Sequence, residues 1–132
     1  MIFHVSVNGC DCFNGTEDKP FRSIGRAASI ALPGDTVRIH AGVYREWVSP
    51  ANGGTEDHRI VYEAAGDGEA VISGAEIVTD WADEGDGVWR TRVPNTLYTY
   101  RNPFDTLVYG DWLFNELPPC HLGQVYLNGK SL

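Results

Sequence analysis

The chemistry open to this chain lies in its 18 acidic side chains, four tryptophans, three cysteines and four histidines. Two carboxyl groups that face each other can divide acid and nucleophile or base roles between them. Asp35 stands in a Pro33-Gly34-Asp35-Thr36 turn, Glu46 between Arg45 and Trp47, and Asp83 and Asp86 in a glycine-rich stretch. Isolated carboxylates are mostly solvated surface groups. Asp35 therefore reads as a turn residue, Glu46 as an ion-pair partner at a corner, and Asp83 and Asp86 as solvent-facing. Trp112 is preceded by Gly110 and Asp111, which sets a flat aromatic face beside a hydrogen-bond acceptor. That combination can hold a ring-shaped polyol, and a corner tryptophan in a core is the plain alternative. Asn102 and Tyr100, in the loop before it, are weaker candidates.

Cys10, Cys12, Cys120 and His121 do not have the spacing of a closed zinc site. Cys10 and Cys12 are too near in sequence for a comfortable disulfide, so the three cysteines read as thiols in loops. His4 and His40 fall in strands and read as ordinary hydrogen-bonding residues. No glycine-rich phosphate loop and no nucleophile elbow is present. No cofactor and no metal is expected.

Positioning these residues falls mainly to short strands. His4–Val7 alternates, and turn signals follow at Asn8-Gly9 and Asn14-Gly15. Ser23 to Leu32 places Ile24, Ala27, Ala28 and Ala31 on one helical face, stopped by Pro33-Gly34. The period then changes to two. Strands are expected at Thr36–His40, with Val37 and Ile39 on the inner face, and at Gly42–Val48, Arg59–Ala64, Ala70–Gly74 and Glu76–Val78. Val37 and Ile60 start equivalent pieces 23 positions apart, the length of one solenoid coil. Single bends at Ala41-Gly42 and Gly74-Ala75 favour stacked coils over the hairpins of a sandwich, and the early helix suits an end cap. Asp83–Gly87 reads as a turn, Val88–Val93 as a strand, and Pro94–Pro103 as a loop. Gln124–Leu127 reads as a strand and turn with no partner to follow.

The composition is that of one globular domain, 42% hydrophobic and 21% charged. A formal charge of −8 argues against nucleic acid and against an anionic membrane surface, and suits a neutral partner. No run approaches a membrane span, and Met1–Val7 lacks the form of a secretory signal. With an odd number of cysteines, a cytoplasmic location is expected.

Two sets of residues carry a resemblance. His4–Gly9, Gly15-Thr16, Pro20-Phe21, Ala27-Ala28, Pro33–Val37 and Gly42–Glu46 resemble the start of pectate-lyase-like β-helix proteins. Gly42–Val48, Gly87–Arg90, Asn102-Pro103, Gly110–Leu113 and His121–Gly129 resemble β-xylosidases of glycoside hydrolase family 120. The resemblance implies an all-β fold: the opening coils of a right-handed parallel β-helix with a short N-terminal capping helix. It implies one domain over residues 1–132, with the cap at about 22–32, coils at about 36–93 and an irregular region at 94–132. It further implies retaining hydrolysis of xylosides by a longer protein. The nucleophilic aspartate and acid/base glutamate of that chemistry would lie in later coils beyond Leu132, so this stretch alone would be inactive. Trp112, Asp111 and Asn102 would touch a neutral xylo-oligosaccharide. An interrupted coil stack would self-associate through its C-terminal side. A non-catalytic carbohydrate-binding or assembly module, or the start of another β-helix lyase or hydrolase, are the alternatives.

Overall fold

The computed structural model describes residues 1–98, 102–108, 110 and 120–131. The chain forms two compact units, Met1–Ile77 and Val78–Leu132.

The first unit is built from parallel rungs. β1 (Ile2–Val5), β2 (Thr36–Ile39) and β4 (Val61–Ala64) form one sheet in the order β1-β2-β4, all parallel. β3 (Gly42–Arg45) and β5 (Ala70–Ser73) form a second parallel pair. Thr36 lies beside Val61, 25 positions on, and Gly42 beside Ala70, 28 positions on. Along the chain the two sheets thus take strands in turn, β2 then β3 and β4 then β5. The strand at residues 71–73 does not extend the sheet of residues 37–40, as stacking in one line would require. It belongs to the second sheet, because the bend at Ala41-Gly42 sends the chain round a corner.

Alternation decides which side of each rung is buried. Val37 and Ile39 face the core with Phe3, Val5, Phe21, Ile24, Ala27, Ala31 and Tyr44. Arg38, on the other face, pairs with Glu63 of the next rung at 2.7 Å. The helix α1 (Ile24–Ala28) is shorter than the Ser23–Leu32 stretch its apolar spacing predicts. Ser23 caps it by accepting the Arg26 N–H. At the other end the Ser29 hydroxyl donates to the Arg26 carbonyl, a side-chain bond that competes with helix continuation. Ala28 and Ala31 stay buried all the same.

Among the described residues Glu46 has no ion-pair partner, contrary to expectation. Its two carboxylate oxygens accept the Ile24 and Gly25 N–H groups at 2.8 and 2.7 Å. They satisfy donors that the first helical turn leaves without partners. Glu46→Gln turns one of these acceptors into a donor facing an N–H. The expected cost is about 1–3 kcal/mol of the first unit's stability, measured by urea denaturation. A loss below about 0.3 kcal/mol would mean water replaces the contact freely.

In the second unit, β6 (Ala82–Gly85) and β7 (Val88–Arg90) form an antiparallel hairpin. Asp86 and Gly87 both have positive φ, 52° and 79°, as a two-residue hairpin loop requires. The stretch read as a turn is therefore half strand. β8 (Tyr126–Leu127) also has a partner, β9 (Lys130–Ser131), across Asn128-Gly129. This corrects the expectation of an unpaired final strand. Among the described residues no helix is long and apolar enough to cross a membrane.

Candidate functional site

Of the three residues expected to touch a ligand, Trp112 and Asp111 lie outside the described residues, as does Tyr100. Asn102 is half-buried and holds its own loop together. Its amide nitrogen donates to Asn95 Oδ1 and Asp105 Oδ2 at 2.9 and 3.0 Å, and its Oδ1 accepts the Phe104 N–H. Its carbonyl accepts the Thr106 hydroxyl. The His121-Leu122-Gly123 segment is tied to the same loop. Leu107 bridges His121, the Leu122 N–H reaches the Thr106 carbonyl, and the Gly123 N–H reaches the Pro103 carbonyl. Gly123 packs so tightly on the Phe104 ring that any Cβ there would overlap it. Two of the motifs behind the resemblance, Asn102-Pro103 and His121–Gly123, thus meet in one folded corner.

Of the other candidate carboxylates, Asp35 and Asp83 are engaged locally. Asp35 accepts the N-terminal ammonium at 2.6 Å and the Leu32 N–H at 2.9 Å, which fits its reading as a turn residue. Both contacts hold its carboxyl below the usual range. Asp83 accepts the Gly85 N–H within the β6–β7 hairpin. Among the described residues no group of three or more His, Cys, Asp or Glu side chains is placed to hold a metal ion.

The cysteine expectation needs a correction. Cys10 and Cys12 form a disulfide, with Cα atoms 5.2 Å apart, inside the range that bond spans. The pair also removes the odd cysteine count as support for a reducing compartment.

Sequence reasoning missed a chain of three side chains in the first unit. Asp67 Oδ2 lies 2.7 Å from His40 Nδ1, and His40 Nε2 lies 3.0 Å from His4 Nδ1. Asp67 also accepts the Ala41 N–H through its other oxygen. The two imidazoles stack with centroids 5.3 Å apart. An ionised carboxylate only accepts, so His40 Nδ1 carries a proton toward Asp67. With His40 neutral, its Nε2 accepts and His4 Nδ1 donates. The hydrogen bond from His40 holds the Asp67 carboxyl below its usual range.

His4 is 8% exposed. Burial pushes its pKa below the ordinary 6.5; nearby Glu17 opposes this, while His40 and Arg38 reinforce it. The unfolded chain therefore takes up this proton more readily than the folded one. The stability His4 contributes is complete above pH 6.5 and is lost as pH falls through its folded value. Urea midpoints should drop as pH is lowered from about 6.5 to 5, and His4→Gln should flatten that slope. An unchanged slope in the variant would assign the pH dependence elsewhere.

Comparison with known proteins bears on both units. Residues 78–132 match the insertion domain of glycoside hydrolase 120, and residues 7–51 match a domain family of unknown function, DUF1565. The structure of XylC, solved in complex with xylose, superposes on 99% of this chain with a TM-score of 0.93 and 45% sequence identity. The uncharacterized protein YwoF of Bacillus subtilis (strain 168) is 36% identical over 74 residues, 56% of this chain. The chain spans 21% of the length of XylC and 16% of that of YwoF. The insertion-domain match at residues 78–132 and the likeness to XylC over nearly the whole chain both relate this chain to glycoside hydrolase family 120.

Proposed function

We propose that this chain is the opening portion of a retaining β-xylosidase, supplying the capped first coils and one edge of the sugar pocket. The observation that carries this reading is the likeness to XylC, 45% identical across 99% of the chain and solved with xylose bound. In this reading the parallel rungs begin a right-handed parallel β-helix, and residues 1–132 are the N-terminal part of one longer domain. Trp112 stacks on the sugar's C–H face, Asp111 accepts a hydroxyl, and Asn102 shapes the loop beside them. Asn102 organises the corner that its own loop forms with His121–Gly123. Nucleophile and acid/base carboxylates come from later coils, about 5 Å apart.

The test is hydrolysis of an aryl β-xyloside. A longer protein containing this chain and the later coils turns it over with retention. The 132-residue chain alone shows no turnover, a loss of many orders of magnitude. Activity of the short chain after removal of host enzymes would show the site to be misplaced. Failure of the longer protein on xylosides would overturn the substrate.

The same reading holds that the short chain self-associates. Among the described residues β4 and β5 are edge strands, with Val61, Tyr62 and Ile72 exposed, and Tyr126 and Leu127 are exposed on the β8–β9 hairpin. Unpaired edges and apolar surface recruit other chains. Light scattering over a concentration series reads the result, and a strict monomer counts against it.

A further inference from the structure

We propose that Cys10 and Cys12 form a reversible thiol–disulfide exchange site whose oxidised form locks the start of helix α1. The disulfide closes a minimal loop around a single residue, Asp11. That residue is the loop's attachment to the helix. Asp11 Oδ1 accepts the Arg22 and Ser23 N–H groups, each at 2.9 Å, and Oδ2 accepts the Ser23 hydroxyl at 2.8 Å. Ser23 in turn caps the helix through Arg26. On either side, the Cys10 N–H reaches the Pro20 carbonyl and the Phe13 N–H reaches the Cys10 carbonyl. Closing the ring fixes the Asp11 backbone between these anchors, so its carboxylate is held where the helix start needs it.

The two sulfurs differ, and the difference sets the direction of exchange. Cys12 is exposed, whereas Cys10 is half-buried and its Sγ accepts the Cys12 N–H at 3.3 Å. An incoming thiolate reaches the Cys12 sulfur and forms a new S–S bond there as the Cys10–Cys12 bond breaks. The electron pair leaves on Cys10, whose thiolate an N–H donor stabilises. A second external thiolate attacks the external sulfur of the mixed disulfide. This releases the Cys12 thiolate and one external disulfide. Two external thiols are oxidised and one protein disulfide is reduced, and the reverse sequence restores the lock. The partner class is a low-molecular-weight thiol and its disulfide. A disulfide with one exposed sulfur that closes so short a loop belongs to the labile kind, not the buried structural kind.

The test uses the full chain in a Cys120→Ser background, with glutathione as the probe. Reduced glutathione should expose two alkylatable thiols, and glutathione disulfide should close them again. Thiols that never re-pair would overturn the site. Rapid alkylation during reduction should trap glutathione on Cys12 in about tenfold excess over Cys10. Equal adducts would overturn the assigned direction. Amide hydrogen exchange at Arg22 and Ser23 should quicken about fivefold on reduction. The Cys10→Ser/Cys12→Ser variant should show the faster rate in either buffer. Rates indifferent to reduction would overturn the lock.

Discussion

Replacing Phe21 with alanine should cost the first unit about 3–5 kcal/mol, enough to unfold much of the population. Phe21 is 1% exposed, with its ring centroid 5.9 Å from that of Phe3 and the Arg26 guanidinium 5.6 Å over its face. Its main chain is bound on both sides: the N–H donates to the His4 carbonyl, and the carbonyl accepts the Ser6 N–H. Alanine keeps those backbone bonds, so the substitution removes the ring and leaves a cavity between β1 and α1. Neighbours held by sheet register cannot close around it, which places the cost high in the range for such changes. Phe21→Leu keeps most of the volume and should cost under about 1.5 kcal/mol. Urea unfolding measures both. A loss below about 1 kcal/mol for the alanine variant would show that the ring does not nucleate this core.

How much of this could be read from the chain depends on the range of each interaction. The inner face of Val37 and Ile39 was legible because alternation is local, but the repeat length only roughly: the 23 positions from Val37 to Ile60 become 25 and 28 in the two sheets, and Val37 lies beside Tyr62. The partner of residues 70–73 was not. Spacing shows that strands return, but not which of two sheets receives them, and the corner at Gly42 decides that. Both hairpins carried their signal, Asp86-Gly87 and Asn128-Gly129, but dipeptides that mark a turn do not say whether strands continue from it. Glu46 caps a helix 22 positions earlier, and His4, His40 and Asp67 meet across 36 and 27 positions. Those contacts exist only once the rungs are in register. The Asn102 loop was found by resemblance, while the bonds that organise it run among Asn95, Phe104 and Asp105 and follow no motif.

Gly15→Ala should destabilise the first unit by roughly 2–5 kcal/mol, and its cost should depend on Phe21. Gly15 is buried with φ near 77°, its N–H donating to the Lys19 carbonyl and its own carbonyl accepting the His4 N–H. Two separate penalties meet there. A residue with a Cβ in left-handed backbone costs about 1–2 kcal/mol. The new Cβ would also fall within the Phe21 ring, and forcing an extra methyl against a packed ring costs about 1–3 kcal/mol. Only the second penalty depends on the ring. In a Phe21→Ala background the methyl enters the space the ring has left, and the backbone strain alone remains, about 1–2 kcal/mol. The double variant should therefore be more stable than the sum of the single losses implies, with a coupling of about 1–3 kcal/mol. Four urea curves complete the cycle. Coupling within about 0.5 kcal/mol of zero would show that the loop around Gly15 moves away from Phe21 at little cost, and that the tight seat of that loop on the core is not what holds it.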